Sequence, residues 1–254
     1  MGRRWKKSLD FIPNFLAASV VFTAATVASA MDGMAIAEKV MPNLITILPP
    51  GDIGAGTVVH PKGFALTAAH VVKGAVDGAP DQFRLAEPSN VYIRNNPAIG
   101  PTFPGKLSNG TDVTIEVHAV ATLSDIALVR VVGSGDFLSP LPVAAPTGLG
   151  QTVYVFGHPW NLRNTMDSGL ISHWEGAYQP MMINAGVHPG NSGGPVTNEQ
   201  GELIGVISAE FMARDGEQFV PGGFGWVVDS YTAVLFARMI GLPIGSDAML
   251  QVSP

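Results

Sequence analysis

Short apolar, β-branched runs alternate with Gly, Pro, Asn and Asp along most of the chain. This is the pattern of an all-β protein whose short strands are separated by turns. The predicted strands are Leu44–Leu48, Gly56–His60, Phe64–Thr67, Val113–Ala119, Asp125–Val132, Thr152–Phe156, Gly169–Ser172, Met181–Asn184, Leu203–Ser208 and Gly225–Val228. A stretch rich in Pro, Ala and Gly, Ser139–Gly150, lies between the fifth and sixth of them. Such a composition is typical of a connector, so we expect two β-rich halves.

Two other stretches depart from this pattern. Tyr231–Ile240 carries apolar residues at helical spacing, and Asp229 or Ser230 is placed to cap it. We therefore predict a C-terminal helix at about 231–240. The region Gly74–Gly110 has no clear period, and we expect long loops there.

The first 30 residues have the pattern of an export signal. Four basic residues between positions 3 and 7 precede the apolar segment Phe15–Val27, and Ala28-Ser29-Ala30 is a small-residue cleavage site. We predict a signal peptide at 1–30 and a periplasmic or extracellular location. Without cleavage the segment would be a membrane anchor, but Pro13 and Asn14 leave it too short to span a bilayer comfortably.

Composition narrows the possible chemistry. The 254 residues have a net charge of −6, and residues after position 30 carry ten basic and nineteen acidic side chains, a net of −9. No basic cluster follows Lys7, which argues against nucleic acid as a main partner. The chain has no cysteine, so no disulfide stabilises it and a nucleophile must be a hydroxyl.

The segment Gly190-Asn191-Ser192-Gly193-Gly194-Pro195 is the most informative motif. A serine nucleophile needs a base and hydrogen-bond donors for the oxyanion, and glycines allow a tight turn that brings N–H groups together. The motif also matches the G-x-S-x-G pattern of α/β-hydrolases. That class places its histidine after the serine, whereas the last histidine here is His188.

The base and its orienting acid must therefore lie upstream. His70 follows an apolar run in Leu66-Thr67-Ala68-Ala69-His70, and Asp125 precedes another in Ser124-Asp125-Ile126-Ala127-Leu128-Val129. Asp112 is a weaker candidate for the acid. The order His70, Asp125, Ser192 is that of chymotrypsin-like enzymes. The other histidines, at 60, 118, 158, 173 and 188, have no metal-ligand spacing, and we predict no metal or cofactor.

These segments, together with V-Y-V-F-G-H-P, S-G-L-I-S and I-G-V-I-S, resemble the trypsin-like serine proteases, and P-G-N-S-G-G-P is most similar to their HtrA-like branch. The resemblance covers roughly residues 44–240. It implies two six-stranded antiparallel β-barrels with the triad in the cleft between them, and an oxyanion hole made by the N–H groups of Gly190 and Ser192. The expected organisation is a protease domain at 31–246, with barrels at about 44–138 and 150–230, and a tail at 247–254.

The resemblance also implies a specificity pocket, lined by Gly186, Ser208, Ala209, Glu210 and Gly223. Gly186 carries no charge at the expected pocket base, which argues against a demand for Lys or Arg. Two features depart from the HtrA-like pattern. His188 stands where asparagine is common, and the chain ends at Pro254, so no PDZ domain is expected.

The sequence therefore predicts an exported serine endopeptidase acting on proteins or peptides. Ser192 would form an acyl-enzyme, with His70 as general base and acid and Asp125 orienting it. No nucleic-acid partner and no membrane span after signal cleavage are expected, and the oligomeric state is left open. The alternative is a protease-fold protein that binds partners or acts like a chaperone with little or no proteolysis.

Overall fold

The computed structural model describes residues 31–86, 90–96, 100–133, 139–215 and 217–251, and the predicted signal peptide lies outside them. The strands are β1 (Leu44–Ile47), β2 (Gly54–Val58), β3 (Phe64–Thr67), β4 (Phe83–Ala86), β5 (Val91–Arg94), β6 (Thr102–Leu107), β7 (Asp112–Ala121), β8 (Ile126–Val132), β9 (Thr152–Gly157), β10 (Thr165–His173), β11 (Met181–Ile183), β12 (Pro195–Thr197), β13 (Leu203–Asp215) and β14 (Gln218–Asp229). The helices are α1 (Gly33–Val40), α2 (Ala69–Gly78) and α3 (Ser230–Met239).

The strands form two antiparallel barrels. In the first, the order is β6-β1-β2-β3-β8-β7, and pairing of β7 with both β6 and β8 closes the ring. β4 and β5 extend this sheet from β7. In the second, β10-β11-β14-β13-β12-β9 form a closed six-stranded ring. The predicted all-β fold with two six-stranded barrels and a C-terminal helix is confirmed.

Alternating side chains fill the interior of each barrel. Val113, Ile115 and Val117 of β7 point into the first, while the polar residues between them are more exposed. Val153 and Val155 of β9 occupy the equivalent inward positions in the second. Complete burial of one such side chain contributes about 1.5–3 kcal/mol. In the described residues of this cysteine-free chain, these cores replace disulfides as the source of stability.

A third apolar cluster joins the two barrels. It contains Leu66 of β3, Phe156 of β9 and Val206 of β13, together with Ile36 of α1 and Val234 of α3. All five are buried. Because close-packed interiors deform little, this cluster holds the barrels in one relative position. The cleft between them, where the predicted triad lies, therefore has defined walls.

The C-terminal helix begins at a buried aspartate. Asp229 Oδ1 accepts a hydrogen bond from Thr232 N at 2.9 Å, and its Oδ2 accepts one from Tyr178 N at 2.8 Å. Burial raises the pKa of this carboxyl. In the described ranges, no helix combines the length and hydropathy needed to cross a membrane.

The long loops expected at Gly74–Gly110 are not what the structure shows. α2 continues to Gly78, and β4, β5 and β6 follow it. β6 contains Pro104 and Gly105, which weaken a strand pattern in the sequence. A Cβ on Gly105 would lie 2.7 Å from Thr46 O, so this glycine allows β1 to approach. Strand pairing across the barrel therefore overrides weak local preference.

Candidate active site

His70 lies in the first turn of α2, directly after the end of β3. Ala68, which precedes the helix, has no side chain that can cap it. The main-chain N–H of His70 instead donates to Asp125 Oδ1 at 3.0 Å. A carboxylate at this position also interacts favourably with the partial positive charge of the helix N-terminus. The start of α2 and the histidine it carries are thus held by one acid.

The imidazole of His70 contacts both oxygens of that carboxylate. Nδ1 lies 3.1 Å from Asp125 Oδ1 and 3.0 Å from Oδ2. Because an ionised carboxylate only accepts hydrogen bonds, Nδ1 carries the proton and Nε2 is left unprotonated in the neutral ring. The hydrogen bond to Asp125 raises the pKa of His70, although burial opposes it. Burial would raise the pKa of Asp125, but hydrogen bonds from His70 and Ser208 hold it below its usual value.

Ser208 connects this pair to Ser192. Its hydroxyl donates to Asp125 Oδ2, and its carbonyl oxygen accepts a hydrogen bond from Ser192 Oγ at 3.2 Å. Asp125 itself has a φ of 48°, in the left-handed region, where aspartate is more common than most residues. His70, Ser192 and Ser208 all line one cleft of about 270 Å³. The structure thus brings the three predicted triad residues together, with the Ser192 hydroxyl directed at Ser208.

The loop before and after Ser192 requires glycine for steric reasons. A Cβ on Gly190 would lie 2.2 Å from His158 O, one on Gly193 2.2 Å from Ala55 O, and one on Gly194 2.0 Å from Phe156 O. Gly190 and Gly193 also have φ values of 102° and 86°. Side chains do not fit in such spaces or conformations. The backbone of this loop therefore packs directly against both barrels.

The main-chain N–H groups of the serine loop differ in whether they are hydrogen-bonded to the described protein. The N–H of Asn191 donates to His188 O at 2.9 Å and that of Gly193 donates to Ile207 O at 2.7 Å. Among the described residues, neither Gly190 N–H nor Ser192 N–H has a protein acceptor. Two unused donors beside a serine hydroxyl are the arrangement that an oxyanion requires.

The predicted specificity residues fall into two groups. Ser208, Ala209 and Glu210 line the cleft beside Ser192. Gly186 and Gly223 are outside the described lining of that cleft. Gly186 lies nearby, where its N–H donates to Asp167 Oδ2 at 2.8 Å, whereas Gly223 is exposed in β14.

Sequence reasoning did not find the contacts that His188 makes. Its ring stacks on Trp160 with centroids 4.1 Å apart, and its Nδ1 lies 3.4 Å from Glu210 Oε1. Asp167, which contacts Gly186, comes from β10. These residues are distant in sequence and share no motif, so only the pairing of strands reveals their proximity. In the described parts of the chain, no group of three or more His, Asp or Glu could hold a metal.

His158 is fully buried beneath the serine loop. Asn164 N donates to its Nδ1 at 3.2 Å, so Nε2 carries the proton that reaches Ile45 O at 3.2 Å. The main-chain N–H of His158 donates to Gly190 O at 3.2 Å. Burial lowers the pKa of His158 to about 4. His158 thus links the two barrels: its neutral imidazole contacts β1 of the first, and its main-chain N–H contacts the serine loop of the second.

This histidine predicts a pH-dependent stability. The unfolded chain binds a proton at His158 near pH 6.5, and the folded chain only near pH 4, so the free energy of unfolding falls as pH drops through that window. The loss from this group amounts to about 3 kcal/mol at pH 4. Urea unfolding at several pH values checks it. His158→Gln, or His158→Asn, should flatten the slope of the free energy of unfolding against pH. An unchanged slope would show that other groups cause the pH dependence.

The fold and this geometry define a chymotrypsin-like serine peptidase domain. The chain belongs to the trypsin-like peptidase domain family, whose sequence pattern matches residues 54–206 and so includes His70, Asp125 and Ser192.

Individual relatives belong to the HtrA-like branch. The chain is 27% identical over 186 residues to serine endoprotease DegS of Escherichia coli, which covers 69% of this chain and 44% of DegS. It is 28% identical over 186 residues to a DegP-like protein of Halomonas elongata, covering 66% and 34% of the two chains. It is 27% identical over 198 residues to the chloroplastic protease Do-like 1 of Arabidopsis thaliana, covering 73% and 39%. The chain thus spans less than half the length of these relatives.

Proposed function

We propose that this protein is an exported serine endopeptidase that cleaves proteins or peptides through an acyl-enzyme on Ser192. The observation that supports the proposal is a cleft lined by Ser192 and by His70, which is hydrogen-bonded to Asp125, beside two N–H groups without a protein acceptor among the described residues. Family membership and the endoprotease relatives support the same activity.

The proposed mechanism begins with a change of hydrogen-bond partner. Ser192 Oγ leaves the carbonyl of Ser208 and donates to His70 Nε2, then attacks the scissile carbonyl carbon as His70 takes the proton. Asp125 stabilises the imidazolium that forms, as the raised pKa of His70 indicates. The N–H groups of Gly190 and Ser192 hold the oxyanion. His70 then protonates the leaving amine, and water releases the acyl group with the same residues.

The substrate backbone would lie against the start of β13. The residues on the amino side of the scissile bond would pair antiparallel with Ser208–Glu210, which line the cleft. The proposed pocket residues Gly186 and Gly223 would then lie outside the cleft that borders this strand. Glu210 and the nearby Asp167 make this side of the cleft acidic.

Export is proposed from the sequence of residues 1–30, with the protease domain at 31–246 and a tail at 247–254. The name of the DegP-like relative describes a periplasmic protein, in keeping with a periplasmic or extracellular site of action. After removal of the signal, the described residues contain no helix that is long and apolar enough to cross a membrane. The net charge of −9 after position 30 does not fit nucleic-acid binding.

Labelling with a serine-reactive fluorophosphonate tests the proposal. The wild-type protein should be labelled, because only an activated serine reacts at a useful rate. Ser192→Ala should abolish labelling, whereas Ser168→Ala, which removes an exposed serine of β10, should not. An unlabelled wild-type protein would favour the alternative, a protease-fold binding or chaperone-like protein.

A further inference from the structure

A second cavity, of about 470 Å³, lies where the segment after α3 meets the first barrel. Its walls come from β3, β5, β7 and β8, from the turn before β3, and from residues 240–243. A volume of this size is within the range of cavities that hold small molecules. The described linings of this cavity and of the catalytic cleft share no residue, so the two are separate sites.

The charged and titratable side chains that line this cavity are all basic. They are His60, Lys62, Arg94 and His118, and no acidic residue is among the described lining residues. Residues after position 30 have a net charge of −9, so a group of basic side chains around one cavity is an exception in this chain. A concave site with basic walls attracts anions.

The charges of the lining indicate a ligand with a single negative charge. Arg94, whose side chain is 3% exposed, lies 3.6 Å from Glu116, and this acid offsets its charge. Lys62 is exposed, and its ammonium group has no ion-pair partner among the described residues. Burial lowers the pKa of both His60 and His118, so both rings are neutral at pH 7. Lys62 is therefore the charge of this lining that lacks a protein counter-ion.

His60 supplies a second hydrogen-bond donor beside Lys62. Its Nδ1 accepts a hydrogen bond from Lys62 N at 3.2 Å, so the proton of the neutral ring is on Nε2. This N–H has no protein acceptor in the described part of the chain. Because a carboxylate has two acceptor oxygens, it can contact the His60 ring and the Lys62 ammonium together.

The remainder of the lining is almost entirely apolar. Apart from Gly241, it consists of Phe64, Ile93, Ala119, Leu128, Ile240, Leu242 and Pro243. The ring of Phe64 lies between the two histidines, with its centroid 5.8 Å from that of His60 and 5.2 Å from that of His118. The guanidinium of Arg130, outside the lining, lies 5.8 Å from the centroid of Phe64. An anion at His60 would thus lie directly beside an apolar surface.

The main chain around the cavity offers few partners to a peptide. β3 pairs with β2 and β8, and β5 pairs with β4 and β7. The N–H groups of Gly241 and Leu242 donate to carbonyl groups of α3, and Pro243 has no N–H. A buried peptide would therefore leave its own N–H and C=O groups without partners, which is unfavourable. An aliphatic chain has no such groups.

We propose that this cavity is a binding site for an aliphatic carboxylate, such as a fatty acid. The carboxylate contacts His60 and Lys62, and the aliphatic chain lies against Phe64 and Leu242. The site is separate from the catalytic cleft, so the proposal does not depend on the proposed function. Because Phe64 belongs to the first barrel and Leu242 follows α3, the ligand stabilises the contact between them and raises the Tm.

Calorimetric titration with hexanoate, octanoate and decanoate tests the apolar part of the site. Each added methylene should lower the Kd by up to about fourfold, as expected for burial of one such group. Octan-1-ol has the chain length of octanoate without its charge and is the matched control. It should bind about tenfold more weakly than octanoate, because it does not form charge-assisted hydrogen bonds.

Protein variants test the position of the carboxylate. Lys62→Gln should raise the Kd of octanoate about tenfold, and His60→Phe, which keeps an aromatic ring, should raise it about fivefold. Lys73→Gln changes an exposed lysine of α2 outside this cavity and should leave the Kd unchanged. The circular dichroism and the Tm of each variant without ligand report whether it folds.

The outcomes decide the proposal. Absence of octanoate binding would overturn it, and so would equal Kd values for the wild type and Lys62→Gln, which would place octanoate elsewhere. Equal Kd values for octanoate and octan-1-ol would show that the site does not select an anion. Tighter binding of trivaline with a free carboxylate would assign the cavity to peptide C-termini, and tighter binding of octyl phosphate would assign it to phosphate monoesters.

Discussion

Replacement of Ser192 by alanine is expected to lower kcat for peptide hydrolysis by about 10⁶-fold, as loss of the nucleophile does in comparable triad enzymes. The methyl group cannot form the acyl-enzyme, and nothing else in the cleft replaces it, since the hydroxyl of Ser208 is bound to Asp125. Initial rates with a quenched fluorescent peptide would measure the loss.

The control for this experiment is to show that Ser192→Ala keeps the fold of the wild type. Ser192 Oγ makes one hydrogen bond, to Ser208 O, so the variant should keep the far-UV circular dichroism and nearly the stability of the wild type. Ser168→Ala should retain full activity. A Ser192→Ala protein with wild-type turnover would show that the hydrolysis comes from another group or from a contaminant.

Replacement of Asp125 by asparagine is expected to lower kcat by about 10⁴-fold. The amide cannot accept a hydrogen bond at its nitrogen, so His70 would move its proton to Nε2, the atom that must accept from Ser192. The amide also cannot stabilise the imidazolium. The measurement is kcat for Asp125→Asn and wild type with the same peptide.

Asp112→Asn is the matched control. Asp112, the other candidate acid, begins β7 with a side chain 83% exposed and forms an ion pair with Lys106. A surface ion pair contributes about 1 kcal/mol or less to stability. Activity should change little. A larger loss for Asp112→Asn than for Asp125→Asn would reassign the orienting acid.

Most of the fold and of the candidate site could be predicted from local motifs. The all-β class followed from the strand runs, because turn glycines and apolar alternation are local signals, whereas the two barrels followed from the resemblance carried by three motif blocks in one order. The residues of the proposed triad were named from the same blocks; His70 and Ser192 line one cleft, and Asp125 is hydrogen-bonded to His70. The predicted helix at 231–240 differs from α3 by one residue at each end.

Non-local pairing accounts for what sequence reasoning missed. The predicted strand Leu203–Ser208 continues to Asp215, and Gly225–Val228 begins seven residues earlier, because each strand is stabilised by the other rather than by its own pattern. The strands at 83–107 depend on β7 and β1 in the same way. The contact of Asp167 with Gly186 likewise requires β10 in place.

The proposed catalytic groups come from different barrels. The rate of hydrolysis should therefore depend strongly on the relative position of the two barrels. His70 and Asp125 belong to the first barrel, whereas Ser192 follows β11 in the second. A small rotation between the barrels would separate Ser192 from His70 while each sheet keeps its hydrogen bonds. Activity should therefore disappear at a lower denaturant concentration than the circular dichroism of the strands. Substitution of buried residues at the contact between the barrels would thus abolish activity without unfolding the chain.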